Sequence, residues 1–288
     1  MKFKAKKIIC VLLTALCLVG YSSFFTSAAT DNRIKFPTYA SNTTIYSNSE
    51  RVLEGQAAII DSVTYVGLRS FCDLFGNYDI SWNGATRTAK VVGDGLSLTV
   101  TNGDLYIYAN GRCLYTVTPI RIIDDRICVP VRPIAKALGV DVSWNADTRS
   151  VSLTDTGKSF GWADSFYNQD DLYWLSRIIS AEAKGESLKG QIAVGNVVLN
   201  RVRSSSYPNT IYGVIFDRKH GTQFSPVAFG TIYNKPSASS VIAAKICLEG
   251  YSLSNDILFF VNPRLATSTW IERNRPYEFT IGNHNFYS

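Results

Sequence analysis

The sequence predicts an α+β protein of two unlike domains, one strand-rich and duplicated, the other helix-rich. Three observations predict it. From about Arg51 to Asp155, apolar and polar residues alternate with the period of two that strands impose, and turn residues punctuate the runs. That same segment repeats itself. From Asp170 onward the spacing of apolar residues changes to that of amphipathic helices. The chain has 288 residues, 46% hydrophobic and 18% charged, enough to bury a core in each domain.

The first 29 residues stand apart. Lys2, Lys4, Lys6 and Lys7 precede the apolar run Ile8 to Val19, and Ser27, Ala28 and Ala29 follow, the pattern of a secretory signal peptide. The run is shorter than the ~20 apolar residues of a spanning helix, so the mature form is expected to have no membrane span; an uncleaved amino-terminal anchor is the alternative. The leader holds four of the 29 lysines and arginines and none of the 23 acidic residues, so the net charge falls from +6 to +2 without it. A nucleic-acid partner gains no support from that balance. Cys10 and Cys17 lie in the leader; among Cys72, Cys113 and Cys128 one disulfide is open after export, with no pair favoured.

Residues 31–155 are read as the first domain. Tyr65-Val-Gly-Leu-Arg-Ser-Phe lies over Cys128-Val-Pro-Val-Arg-Pro-Ile with Arg69 on Arg132, and Phe71 to Gly76 over Ile134 to Gly139. Ile80-Ser-Trp-Asn lies over Val142-Ser-Trp-Asn, and Thr86-Arg87 over Thr148-Arg149. Each unit therefore predicts a strand, a short helix and a hairpin. Between the copies, alternating runs broken at Asn102-Gly103 and Asn110-Gly111 predict further hairpins. Trp82 and Trp144 are read as core residues of their hairpins, with stacking on sugar rings as the second reading. This segment resembles the copper amine oxidase N-terminal domain, a stalk module. No copper is expected from it, because residues 31–155 contain no histidine.

Residues 156–169, which break both periodicities and mix Gly, Ser and Asn, read as a linker. Gly157-Lys-Ser-Phe-Gly161 fits the nucleophile-elbow pattern, which carries no weight without a strand before it and a helix after it. Residues 170–288 are read as the second domain. Asp170 or Asp171 caps a helix bearing Leu172, Leu175, Ile178 and Ile179, stopped near Gly185. Ser187 opens a second helix that ends before Pro208. A helix over about 237–250, a strand over 257–261 and another near 279–287 follow.

Glu182 is the candidate catalytic residue. It follows Ile178 by four positions and Leu175 by seven, so it projects from the apolar face, where burial raises a carboxyl pKa toward that of a general acid. The alternative is a carboxylate paired with Arg177 or Arg201. Glu186 reads as a solvated or capping glutamate, or as a partner of Glu182, and Glu249 as a partner of Lys245. His220 and His284 belong to no spaced ligand motif, so no metal and no cofactor are expected. Cys247 reads as a small buried side chain.

Several motifs in order carry a second resemblance: Ser180-Ala-Glu-Ala-Lys-Gly-Glu186, Gly190-Gln-Ile-Ala-Val-Gly-Asn-Val-Val-Leu-Asn-Arg201, Tyr207-Pro-Asn-Thr-Ile-Tyr-Gly-Val-Ile-Phe216, Gln223-Phe-Ser-Pro-Val227, Phe260-Val-Asn-Pro263, Thr269-Trp-Ile271 and Ile281-Gly-Asn-His284 with Phe286-Tyr287. Residues 171–288 resemble the cell-wall hydrolase family of spore cortex-lytic enzymes. The resemblance implies a lysozyme-like or lytic-transglycosylase-like fold and cleavage of peptidoglycan glycan strands at the N-acetylmuramic acid β-1,4 bond, in spore cortex lysis during germination. Glu182 is the single catalytic glutamate it implies, and Gln223, Ser225, Asn262, His284 and Tyr287 fall in motifs that line or close the glycan groove. It also implies an exported protein of the cell wall, extracellular space or spore envelope, with peptidoglycan as partner. A protein partner or a wall contact is open for the stalk domain, which stands where family members often carry a helical wall-binding module. A hydrolytic muramidase or glucosaminidase, and a catalytically silent wall-binding protein, are the alternatives.

Overall fold

A computed structural model describes residues 32–219, 223–266 and 268–288; the leader at residues 1–29, with Cys10 and Cys17, lies outside them. Arg33–Ser288 form one compact unit with one main hydrophobic core in the strand-rich half and another in the helix-rich half, the second of which takes in Cys113 from the strands. No helix among the described residues is long and apolar enough to cross a membrane.

The duplicated unit folds the same way twice. Strand Val63–Gly67 runs into helix α1 (Leu68–Cys72) and then the hairpin of Asp79–Asn83 with Thr88–Gly93. Strand Arg126–Pro130 runs into α2 (Val131–Ala137) and the hairpin of Val140–Asn145 with Ser150–Asp155. Matched residues make matched bonds: the Arg69 guanidinium donates to the Ile80 carbonyl at 3.2 Å, and Arg132 to the Val142 carbonyl at 3.1 Å. The Asn83 and Asn145 side chains each accept from the amide three residues on, and Arg87 and Arg149 take left-handed φ of 52° and 51° in the turns. Val63–Gly67 and Arg126–Pro130 pair antiparallel at the middle of a five-stranded sheet, which relates the copies by a local twofold.

The strands between the copies form an antiparallel meander. Its last turn, Asn110-Gly111, has φ of 48° and 80°, the positive values that a two-residue hairpin turn requires. In another sheet, Ser150–Asp155 lies parallel to Thr44–Ser47, so the far end of the repeat pairs with the strand before its start.

In the strand-rich half one expectation fails and one open possibility closes. Trp82 and Trp144 are 50% and 40% exposed, not core residues. Each continues the face on which Ile80 and Val142 pack against the core, but each is the last residue on that face, where the hairpin runs past the core's end. Cys72, Cys113 and Cys128 are free thiols buried in three different hydrophobic clusters, so no pair of them forms a disulfide.

In the second half, α3 (Ala163–Phe166) precedes α4 (Gln169–Ala183) and α5 (Leu188–Arg203). The cap of α4 is Asn168, whose side chain accepts from the amides of Asp170 and Asp171; the two aspartates sit in the first turn, where the helix dipole favours them. Ser187 caps α5 as expected, accepting from the Gly190 amide. The short helices α6 (Ile211–Ile215) and α7 (Ser225–Ala228) lead to α8 (Ala238–Leu248), capped by Ser237. After α9 (Trp270–Asn274) the single strand expected near residues 279–287 is a hairpin, Tyr277–Ile281 with His284–Tyr287, turning at Gly282, and Phe259–Val261 completes this sheet.

The segment joining the halves is packed, not free. Glu249, at the end of α8, does not pair with Lys245. Its carboxylate accepts from Arg112 Nε and Nη2 at 2.6 and 2.8 Å, from Lys136 Nζ at 3.0 Å and from the Tyr167 hydroxyl at 3.0 Å. The Arg112 guanidinium lies between the rings of Phe160 and Phe166, 3.9 and 3.4 Å from their centroids. Lys245 instead donates to the Gly111 carbonyl. Burial pushes the Glu249 carboxyl up, but the bonds and charges of Arg112 and Lys136 outweigh it and leave it below the ordinary glutamate value.

Removing one partner leaves a buried charge unpaired. Glu249→Ala is expected to cost about 3–5 kcal/mol in urea denaturation at neutral pH. Because the Glu249 pKa is depressed by folding, its contribution is complete above the unfolded glutamate value and fades as pH falls below it. The gap between parent and variant should therefore narrow in acid.

Candidate active site

Helix α4 forms because Leu175, Ile178 and Ile179 recur on one face, and these are fully buried against α5 and α8. Glu182 lies near its end on that face and is partly buried. Neither Arg177 nor Arg201 pairs with it. Arg177 stacks on Tyr173 with its guanidinium carbon 3.5 Å from the ring centroid, and Arg201 donates to the Leu258 carbonyl at 2.8 Å. Glu182 makes no hydrogen bond or ion pair among the described residues. Burial alone therefore acts on its carboxyl and pushes its pKa up to about 7.

Glu186, four residues on, has the opposite surroundings. Its oxygens accept from the Asn283 side chain at 2.9 Å and the Asn283 amide at 3.3 Å, and its Oε1 lies 3.9 Å from His284 Nδ1. It is neither solvated nor a helix cap. The turn at Gly282 has φ of 58°, and a Cβ there would stand 1.8 Å from Glu186 Oε2, so only glycine lets the hairpin close on this carboxylate. His284 is buried, which holds its pKa down against the pull of Glu186.

Behind the end of α4 lies a polar cluster that the sequence analysis did not single out. Ser180 Oγ accepts from the Ser237 amide at 3.1 Å, so the start of α8 is tied to the turn of α4 that carries Glu182. Gln191, fully inside on α5, donates to the Glu186 carbonyl at 3.0 Å and accepts from Ser240 Oγ at 2.8 Å. The available signal was Gln191 itself, a polar residue three and seven positions before the buried Val194 and Val198 on the same face of α5.

Of the expected groove residues, His284 packs against the ring of Phe260. That ring meets Phe224, between Gln223 and Ser225, at 6.4 Å, and the edge or face of His284 at 5.3 Å and Phe286 at 6.2 Å. Phe260 and Phe286 also pack in one cluster with Ala183, next to Glu182. Within that arrangement Ser225 is exposed and begins α7, which touches α4. Asn262 is partly buried and its side chain accepts from the Arg264 amide in its own turn. Tyr287 is buried against Tyr277, with ring centroids 5.8 Å apart. His220 lies outside the described residues, and among those described no cluster of His, Cys, Asp and Glu could hold a metal ion. Cys247 is buried on α8.

The sequence profile of the Cell Wall Hydrolase family matches residues 185–287, beginning just past Glu182, and that of the copper amine oxidase N-terminal domain matches residues 45–153. The spore cortex-lytic enzyme of Bacillus cereus is 39% identical over 120 residues, which are 42% of this chain and 45% of that enzyme. The spore cortex-lytic enzyme of Bacillus subtilis is 37% identical over 120 residues, 42% of this chain and 38% of its own. A solved catalytic domain of the germination-specific lytic transglycosylase SleB from Bacillus anthracis is 39% identical, with coverage of 42% of this chain and 97% of that one and a TM-score of 0.39. The chain thus spans less than half the length of these spore cortex-lytic enzymes.

Two outcomes follow from the site's geometry. Folding raises the Glu182 pKa, so the neutral carboxyl suits the folded state and stability falls as pH rises from about 4.5 to about 7. Glu182→Gln should accordingly be more stable than the parent at pH 8, by about 1–3 kcal/mol, and no different at pH 4 when both are unfolded in urea. Gly282→Ala should lower the thermal midpoint by roughly 3–8 °C, from a strained left-handed residue and a displaced Glu186.

Proposed function

We propose that this chain, which carries a cell wall hydrolase domain over residues 185–287 behind a copper amine oxidase N-terminal domain over residues 45–153, cleaves peptidoglycan glycan strands with Glu182 as its acid and base. The observation that carries the proposal is the state of Glu182: a partly buried carboxyl with no charged partner, its pKa raised to about 7. Such a group is protonated often enough near neutrality to donate, and ionised often enough to accept. The names of the relatives, spore cortex-lytic enzymes, point to spore peptidoglycan as the substrate.

The reaction we propose is lytic transglycosylation. Glu182 gives its proton to the glycosidic oxygen as the bond from muramic acid C1 breaks. The resulting carboxylate then takes the proton of the muramoyl 6-hydroxyl, whose oxygen closes on C1 to give a 1,6-anhydro end. No water enters, and the glutamate finishes as it began. Hydrolysis would ordinarily ask for a second carboxylate at ~5–9.5 Å, free to act as nucleophile or to activate water. Glu186 is a poor candidate, since its oxygens are engaged by Asn283 and lie beside His284.

In this reading residues 170–288 cut, residues 31–155 set where cutting occurs, and residues 156–169 join them. Gln223, Ser225 and Asn262 border the glycan path, with His284 and Tyr287 shaping its wall from within. Export to the wall or spore envelope, directed by residues 1–29, belongs to the same proposal. Mass spectrometry of the soluble products from spore cortex and vegetative sacculi tests it. Residues 30–288 should release anhydromuropeptides, Glu182→Gln should release them at least about 100-fold more slowly, and the rate should fall above pH 7 as the acid ionises. Reducing-end products would instead identify a hydrolase, and no product from any wall would leave a binding protein.

A further inference from the structure

Three surface depressions meet at Arg132. The largest, about 630 Å³, opens on the second copy of the duplicated unit. A second of about 490 Å³ shares Arg132 and Val142 with it, and a third of about 270 Å³ shares Tyr115, Arg132 and Pro133 and reaches Gly250 and Tyr251 in the helical half. The groove therefore runs from the strand-rich half onto the other.

Its main chamber is walled by Trp144 and Val117, 40% and 59% exposed, over a floor that includes Pro133 and Val142. Two charged side chains line it, Arg132 and Arg149, and no acidic one does. Neither arginine forms an ion pair among the described residues. An open indole face in a concave apolar site suits the CH face of a pyranose ring. Guanidinium groups without an acidic partner suit carboxylates, and Arg132 spends only one of its five N–H donors on the Val142 carbonyl. Peptidoglycan presents both together, acetylated sugars bearing peptide stems that end in carboxylates.

The first copy supplies an internal contrast. Trp82, Arg69 and Arg87 occupy the matched positions, but Pro130 and Pro133 are replaced by Gly67 and Ser70. Ser70 Oγ donates to Gln56 at 3.0 Å, and Ile34 and Gln56 lie 3.0 and 3.1 Å from where a Cβ on Gly67 would stand. The chain's own side chains occupy that side of the first copy.

We propose that the Trp144 groove is a second peptidoglycan-binding site, with a sugar ring on Trp144 and stem-peptide carboxylates at Arg132 and Arg149. This rests on the reading of peptidoglycan as the substrate. The test measures retention of residues 30–288 on purified sacculi, before and after removal of secondary wall polymers, in a Glu182→Gln background so that the sacculi persist. Adding Trp144→Ala or Arg149→Glu should weaken retention on the order of tenfold, while Trp82→Ala leaves it at the parent level. Two variants of exposed side chains, each checked by its thermal midpoint, separate lost binding from lost folding. Equal retention of all variants, or retention that vanishes with the secondary polymers, overturns the groove while products released by the wild type keep the proposed function. If the wild type releases no product and the parent is not retained, both readings fall.

Discussion

One buried carboxylate cross-links the two halves, beside an apolar contact in which Tyr106, Cys113 and Tyr115 of the meander pack into the helical core. The four hydrogen bonds to Glu249 fill the acceptor positions of its two oxygens, and their donors come from a strand of the meander, from α2 and from the joining segment. Arg112 is confined in turn between Phe160 and Phe166. Such a site has few alternative arrangements, so it fixes the end of α8 against the strand-rich half. The opposite end of α8 begins at Ser237, whose amide is bound by Ser180 two residues before Glu182. A helix of 11 residues, about 16 Å long, therefore links the anchor to the candidate acid through rigid backbone.

The contrast between Glu182 and Glu186 shows how far environment separates identical side chains. Both belong to one short motif. Glu186 is surrounded by donors and serves to pin the terminal hairpin, while Glu182 is desolvated with no donor to favour its charge. Polar groups around Gln191 and Ser240 hold the backbone on both sides without reaching the Glu182 carboxyl. The site thus combines a rigid frame with one group left electrostatically uncompensated.

Much of this was legible in the sequence, where local rules decide the outcome. The repeat, the cap at Ser187 and the turn at Asn110-Gly111 depend on neighbours within a few residues. The exposure of Glu182 to an apolar surrounding followed from helical spacing, because Leu175 and Ile178 define the face. What was missed depends on long-range contacts. Glu249 has Lys245 one turn away, yet its partners stand 137 and 113 residues distant, and no periodicity reveals them. Trp82 and Trp144 obey the inward alternation and still emerge, because alternation gives the face of a strand and not where the core beneath it ends. Glu186 read as solvated because its cover, Asn283, arrives 97 residues later.

The parallel pairing of Ser150–Asp155 with Thr44–Ser47 has a kinetic consequence. The contact of Thr43 with Arg149 joins residues 106 apart in sequence, and such non-local closures slow folding more than they cost in stability. A chain that emerges from its amino end must keep Thr44–Ser47 unpaired on one edge until the second copy has formed. The hairpin with Glu50–Val52 gives that strand a local partner during the wait, which shields one edge from association with other chains. Duplication thus leaves the strand before the first copy to wait for the second, a non-local pairing of the kind that slows folding.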